Sequence, residues 1–137
     1  MNWQIIPQKT LTPLQLQQLS PASWAYIGDA VYELYVRQAY LLPPKRLQLY
    51  HQSVVAQVRA ETQANQLKVL EPLLTQDEIE ILRRGRNATY RFPKRLDRQI
   101  YQQATSLETL VGYLYLTDPE RLSELMAYLD FGREGEK

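Results

Sequence analysis

The sequence contains no cysteine and a single histidine. The lack of cysteine excludes disulfide bonds, thiolate metal sites and a cysteine nucleophile, and one histidine cannot supply a metal site built from several imidazoles. No apolar run approaches the roughly 20 residues that span a bilayer. The first ten residues, MNWQIIPQKT, lack the basic and apolar regions of a signal peptide. We therefore expect a cytoplasmic protein.

Glycine is also scarce, with five residues in a chain of 137. Leucine and glutamine greatly outnumber the β-branched residues valine and isoleucine, and straight-chain helix formers with few turn glycines are typical of all-α proteins. The length suits one domain. The composition thus predicts a single all-α domain, a helical bundle.

Three helix starts are marked by a capping side chain directly before a proline, at Thr12, Ser20 and Asp118. These signals and the apolar spacing predict helices over about 13–19, 21–40, 44–70, 76–86, 95–116 and 119–130. We expect an N-terminal arm over 1–12, one domain over 13–131 and a C-terminal tail over 132–137.

The helix ASWAYIGDAVYELYV, residues 22–36, carries two carboxylates in an otherwise apolar segment. At 100° per residue one face holds Trp24, Ile27, Val31 and Leu34, and Ala25, Asp29, Glu33 and Val36 lie nearly opposite. Both faces are mostly apolar, which predicts burial on both sides, the second against another subunit. Gly28 predicts a close backbone approach beside Asp29.

The segment ATSLETLVGYLYL, residues 104–116, repeats this pattern with Glu108 as its one acid and Gly112 one turn later. Carboxylates from two helices of a bundle commonly hold hard divalent cations, and oxygen ligands favour Mg²⁺ or Mn²⁺. Salt bridges or solvent contacts for Asp29 and Glu33 remain the alternative. Spacing alone does not show that the two helices meet.

Residues 83–98, RRGRNATYRFPKRLDR, form a basic segment with seven basic residues and one acidic residue in a chain of net charge +1. Such charge segregation predicts a polyanion partner. Gly85, Asn87 and Pro93 predict that part of the segment is a loop, and arginines can bind phosphate in bidentate fashion. The alternative is a solvated surface that balances the acidic helices.

Four segments together resemble the ribonuclease III family in its compact mini-ribonuclease III form, which lacks a double-stranded-RNA-binding domain. AYIGDAVYELYVR (25–37) resembles the signature helix, and ATSLETLVGYLYL (104–116) resembles the second metal-binding helix. ILRRGRNA (81–88) and HQSVVAQVRAETQA (51–64) resemble two further segments of the mini form. The likeness covers about residues 19–131.

The resemblance implies a Mg²⁺-dependent endoribonuclease, with Mn²⁺ as a possible substitute. It would cleave double-stranded RNA as a homodimer and mature large-subunit (23S) ribosomal RNA precursors in ribosome biogenesis. The location would be the bacterial cytoplasm, or the plastid stroma in a plant. The resemblance assigns Asp29 and Glu108 as catalytic metal ligands, with Glu33 in support. With the basic segment, it assigns RNA binding to Arg83, Arg84, Arg86, Asn87, Lys94 and Arg95.

The sequence departs from classical ribonuclease III at two acidic positions, which are Ala25 and Thr105 here. The mini form resembles this chain at both, so water or the Thr105 hydroxyl would complete the metal shell. The reduced acid set also favours an alternative, a non-catalytic module that binds structured RNA or ribosomal particles. A third interpretation is a helical adaptor whose basic segment binds an acidic protein surface.

Overall fold

The computed structural model describes residues 11–88, 97–129 and 131. The predicted arm therefore falls largely outside the described residues, as do the tail over 132–137 and the second half of the basic segment. Seven α-helices and one 3₁₀ turn occur in the described ranges: α1 Pro13–Gln18, α2 Pro21–Ala39, α3 Leu47–Val58, α4 Ala60–Leu70, the 3₁₀ turn Glu71–Leu73, α5 Gln76–Asn87, α6 Arg98–Thr117 and α7 Pro119–Met126. The predicted all-α class is confirmed.

The three predicted helix caps are confirmed. The Thr12 hydroxyl accepts from the backbone of the third helical residue at 3.1 Å, and Ser20 does the same at 3.2 Å. Asp118 Oδ1 accepts from the Arg121 N–H at 3.2 Å. Each cap satisfies a backbone donor that has no partner within its own helix, so local chemistry sets these starts.

The prediction of one helix over 44–70 is wrong. The segment starts at Leu47, and Arg59 adopts extended backbone angles (φ −73°, ψ 156°) that separate α3 from α4. The Thr62 hydroxyl donates to the Ala56 carbonyl at 2.7 Å and so satisfies an acceptor near the end of α3. No proline or glycine marks this break. It redirects α4 so that its buried stripe packs against α6.

Helix α6 lies at the centre of the bundle. It packs against α2, α4, α5 and α7, and its buried residues occupy more than one side of the helix: Ala104, Ser106, Leu107, Thr109, Leu110, Val111, Gly112 and Leu114. A helix surrounded in this way is apolar on most of its circumference. That explains why Glu108 is the only acid between the ends of α6.

The buried face of α2 differs from the prediction at two positions. Leu34 was predicted to face the core and is 48% exposed, whereas Val36, predicted on the opposite face, is fully buried. The buried stripe runs through Trp24, Gly28, Tyr32 and Val36, a spacing of four residues that rotates it away from Leu34. The stripe follows the line along which α2 crosses α6.

The first part of the basic segment is helical, in agreement with the predicted helix over 76–86. Arg83, Arg84 and Arg86 lie in the last two turns of α5, which extends to Asn87. Basic side chains suit a helix C-terminus because they interact favourably with the helix dipole. Residues 89–96 lie outside the described part of the chain. No helix in the described ranges combines the length and the apolarity needed to span a bilayer.

Candidate active site

Two glycines let α2 and α6 cross with their backbones in contact. A Cβ atom at Gly28 would overlap the Glu108 carbonyl oxygen, and one at Gly112 would overlap the Trp24 carbonyl oxygen. Only residues without a side chain permit this approach. The close backbone approach predicted beside Asp29 is confirmed, and it places Asp29 on α2 next to Glu108 on α6.

The carboxyl groups of Asp29 and Glu108 share a hydrogen bond, and the environment holds Glu108 in its neutral form. Burial, and then the hydrogen bond and negative charge of Asp29, raise the pKa of Glu108 to about 9. Two carboxylates in contact cannot both ionise at low cost without a compensating cation. Asp29 itself is exposed to solvent, so the pair lies at the protein surface.

The acid pair opens into a cavity of about 360 Å³ between α2, α5 and α6. Besides the acids, its walls are small side chains, two tyrosines and two threonines, contributed by Pro21, Ala22, Ala25, Tyr26, Gly85, Ala88, Tyr101, Thr105 and Thr109. Gly85 and Ala88 belong to the end of α5, where the basic segment starts. Carboxylates and the start of the basic segment therefore border one surface depression.

The donor set at this cavity fits a hard divalent cation. Asp29 and Glu108 supply two carboxylates, and Thr105 lines the same wall. In the described part of the chain no group of three or more histidine, cysteine or acidic side chains could hold a metal. Mg²⁺ commonly binds one or two carboxylates and retains several waters. A cation between the two acids would also remove the repulsion that keeps Glu108 protonated.

Glu33 does not join the acid pair. Its carboxylate accepts a hydrogen bond from the Arg37 guanidinium at 2.7 Å, and Glu33 is not part of the cavity wall. Glu33 follows Asp29 by one helical turn on the same side of α2, so it lies about 6 Å farther along the helix axis. The structure thus brings Asp29 and Glu108 together and places the predicted supporting acid in a surface ion pair.

The predicted RNA-binding residues have different surroundings. The Arg84 guanidinium lies over the Trp24 ring, 5.0 Å from its centroid, and Arg83 Nε donates to Glu80 Oε2 at 2.8 Å. Arg86 and Arg83 line a second cavity on the other side of α5, beside Gln103. Asn87 is exposed at the helix end. Lys94 and Arg95 lie outside the described residues.

Sequence reasoning did not identify Gln63 on α4. Its side chain is only 3% exposed, and its amide lies within hydrogen-bonding reach of the Glu108 carboxyl, where it opposes the rise in the pKa of that group. The signal in the sequence was its position in the stripe that continues through Leu67 and Leu70. A glutamine at an apolar position of an amphipathic helix calls for a polar partner.

Comparison with known proteins identifies the family of this fold and site. The family described as "Ribonuclease III domain" matches residues 22–119. Mini-ribonuclease 3 from a Synechococcus species is 56% identical over 88% of this chain and 88% of its own length. The protein of the same name from a Synechocystis species is 52% identical over 90% of this chain and 88% of its own length.

A solved structure shares the fold. The X-ray crystal structure of protein FN1578 from Fusobacterium nucleatum superposes with a TM-score of 0.74 at 27% sequence identity, covering 80% of this chain and 91% of that chain. Together, these matches confirm the family resemblance read from the four sequence segments. The chain belongs to the ribonuclease III family, in its mini-ribonuclease III form, and is an endoribonuclease.

Proposed function

We propose that this endoribonuclease cleaves double-stranded RNA in a Mg²⁺-dependent reaction at the Asp29–Glu108 pair. The observation that carries the proposal is the contact between these two carboxyls at the wall of a cavity that the end of α5 also lines. Phosphodiester hydrolysis needs a group that stabilises negative charge and a surface that holds the RNA backbone. The acid pair and the arginines of α5 supply these two parts.

Asp29 and Glu108 would hold the cation as two carboxylates. Without metal, partial burial beside Asp29 raises the pKa of Glu108 to about 9, so metal binding would require the loss of that proton to solvent. A bound divalent cation would lower the pKa of water and stabilise charge on the phosphate. The Thr105 side chain, on the same wall, can hydrogen-bond the water that completes the shell.

The last turns of α5 provide the RNA-binding surface in this proposal. The Trp24 ring fixes the Arg84 guanidinium by a cation–π contact, which leaves its edge able to donate to phosphate oxygens. Asn87 is exposed next to Ala88 of the cavity wall, and the exposed Arg86 extends the basic surface to the other side of α5. Lys94 and Arg95, which lie outside the described residues, continue the basic segment in sequence. A duplex would be recognised through its phosphates and 2′-hydroxyls.

We also propose that two copies of the chain assemble through the outward face of α2. Tyr26 is 85% exposed and Leu34 48% exposed on this face, and Leu14 on the neighbouring helix α1 is 65% exposed. Apolar side chains at this density are typical of a protein interface. A twofold dimer pairs the same surface on both copies, and it would present one acid pair to each RNA strand.

The biological substrate that we propose is the precursor of large-subunit (23S) ribosomal RNA, and the location is the bacterial cytoplasm or, in a plant, the plastid stroma. The support is the similarity to proteins named Mini-ribonuclease 3 over nearly the whole length of both chains. The test is to map the ends of ribosomal RNA in a strain that lacks the protein. Unprocessed 23S ends support the proposal, and mature ends contradict it.

The direct test of the chemistry is cleavage of a labelled RNA duplex with Mg²⁺, with Mn²⁺ and with a chelator. We expect Asp29→Asn to reduce cleavage at least about 10³-fold and to leave duplex binding nearly unchanged, because the lost group stabilises the reaction rather than the RNA. Asp77→Asn is the matched control, since Asp77 is an exposed acid in the first turn of α5.

Two outcomes separate the proposal from its alternative. Full cleavage by Asp29→Asn would show that the acid pair is not the metal site. Tight duplex binding by the unmodified protein with no cleavage in either metal would instead support the non-catalytic RNA-binding module that the reduced acid set favours. Sedimentation equilibrium of the protein and of Tyr26→Glu tests the dimer: we expect a dimer and a monomer, respectively.

A further inference from the structure

The side chain of Gln63 is buried where a hydrocarbon side chain would be expected. Gln63 lies on α4 in the stripe that continues through Ala64, Leu67 and Leu70 and packs against α6. It is 3% exposed, as deeply buried as the leucines of that stripe. A primary amide taken out of water is costly unless its donors and acceptor find partners. Packing alone therefore does not account for a glutamine at this position.

The amide nitrogen of Gln63 has no partner that would account for its burial. Among the described residues, no acceptor meets Nε2 with hydrogen-bond geometry. The Gln63 amide lies within hydrogen-bonding reach of the Glu108 carboxyl, across the contact between α4 and α6. An ionised Glu108 would offer a full acceptor to Nε2.

Two helices thus place hydrogen-bonding groups at the Glu108 carboxyl, Asp29 from α2 and Gln63 from α4. Asp29 is exposed to the cavity, whereas Gln63 lies in the interior and is not part of the cavity wall. Gln63 consequently cannot touch RNA. Its contact with the site runs only through Glu108.

We propose that Gln63 is a positioning residue for the metal site, which donates its Nε2–H to the Glu108 carboxylate and orients it toward Asp29 when a divalent cation binds. The inference rests on the proposed role of Asp29 and Glu108 as metal ligands. A hydrogen bond that orients a metal ligand typically changes metal affinity or activity by roughly 10–100-fold. Gln63 therefore provides a hydrogen-bond donor for Glu108 at a position where the other residues of the apolar stripe of α4 have none.

The experiment titrates Mn²⁺ alone into the intact protein, without RNA, by isothermal titration calorimetry. Gln63→Met retains the length and removes the donor, and we expect its Kd for Mn²⁺ to rise roughly 10–100-fold. The Mg²⁺ concentration for half-maximal cleavage should rise by a similar factor. KM for RNA at saturating Mg²⁺ should stay unchanged, because Gln63 is buried away from the cavity.

Gln57→Met is the matched control. Gln57 is a partly buried glutamine on α3 whose amide donates to the Tyr40 hydroxyl at 2.9 Å rather than to the acid pair. Its substitution should leave the Mn²⁺ affinity unchanged. If Gln63→Met does not fold, as judged by circular dichroism, Gln63→Asn replaces it, since that variant retains the amide but withdraws it from Glu108. We expect the same loss of affinity.

The outcomes separate this inference from the proposed function. Mn²⁺ binding by Gln63→Met within twofold of the unmodified protein, or an equal loss in Gln57→Met, would overturn the role of Gln63. If Asp29→Asn at the same time abolishes binding, the metal site itself stands. An unmodified protein that binds no Mn²⁺ and cleaves no duplex would overturn both.

Discussion

Replacement of Gly28 by alanine tests the backbone contact on which the site depends. The added Cβ would overlap the Glu108 carbonyl oxygen and lie 2.8 Å from the Gly112 nitrogen, and no side-chain rotation relieves a clash with backbone. Carbon and oxygen normally pack at about 3.5 Å, so α2 and α6 must separate by more than about 1 Å. This separation loosens the core around Leu107 and Val111, which are fully or almost fully buried.

The expected loss of stability is the difference of two effects. Overpacking of a rigid core costs about 3 kcal/mol at the upper end of its usual range, and alanine improves helix propensity over glycine by about 1 kcal/mol. The net loss is then about 2 kcal/mol, or a Tm lower by about 8 °C for a domain of this size. Cleavage should fall further than stability, because the separation also moves Asp29 away from Glu108.

Urea denaturation and duplex cleavage at a temperature where the variant is folded measure these two effects. Ala30→Gly is the control, since Ala30 is exposed on the same helix and its substitution reports propensity alone, a loss of about 1 kcal/mol. Gly112→Ala should resemble Gly28→Ala. A Gly28→Ala variant that is more stable than the unmodified protein and fully active would refute the close crossing of α2 and α6.

Three further predictions concern charged groups. The double variant Arg84→Ala with Arg86→Ala should weaken duplex binding and reduce the slope of log K against log salt concentration by about 2; an unchanged slope would place the RNA elsewhere. Glu78 forms a buried ion pair with Arg121 at 2.8 Å that holds the pKa of Glu78 below its usual range. Its stabilisation is therefore complete above the pKa of an unfolded glutamate and is lost as pH falls through the lowered value. Glu78→Gln should cost about 2 kcal/mol at pH 7 and remove that acid dependence in urea denaturation, and an unaltered pH profile would contradict it. The contribution of Glu108 to stability depends on pH in the opposite direction. Because its pKa is raised to about 9, the metal-free folded state retains a proton that the unfolded state loses. Stability should thus fall as pH rises from about 4.5 to 9, by up to about 1.4 kcal/mol per pH unit, and Glu108→Gln should abolish the fall; equal slopes in both proteins would show that Glu108 is ionised in the fold.

Short-range features of the fold were predictable because neighbouring residues produce them. The caps at Thr12, Ser20 and Asp118 each join a side chain to a backbone donor within three residues. The break at Arg59 was not predictable in this way. Its residue types favour a continuous helix, and the redirection of α4 is stabilised by burial against α6, a contact between segments far apart in sequence.

The orientation of α2 likewise has one part that the sequence predicts and one part that long-range packing sets. The apolar character of the helix was visible in the sequence, but its orientation was assigned about one position away from the observed stripe. Leu34 is exposed and Val36 is buried, the reverse of the predicted core face. The error arose because two apolar faces of the helix satisfy the periodicity equally well. The crossing with α6 at Gly28 decides between them. Periodicity indicates that a helix has an apolar side and leaves open which of two sides is covered.

The sequence by itself determined the helical class, the three capped helix starts and the family, and it singled out Asp29 and Glu108 as candidate ligands, because composition, caps and motifs are properties of adjacent residues. Only the tertiary structure decided that Asp29 and Glu108 interact, that Glu33 pairs with Arg37 instead, and that Gln63 lies within hydrogen-bonding reach of Glu108. Helices α2, α4 and α6 contribute these groups from widely separated parts of the chain. Their distances follow from how closely the backbones pack at Gly28 and Gly112, which no local pattern specifies.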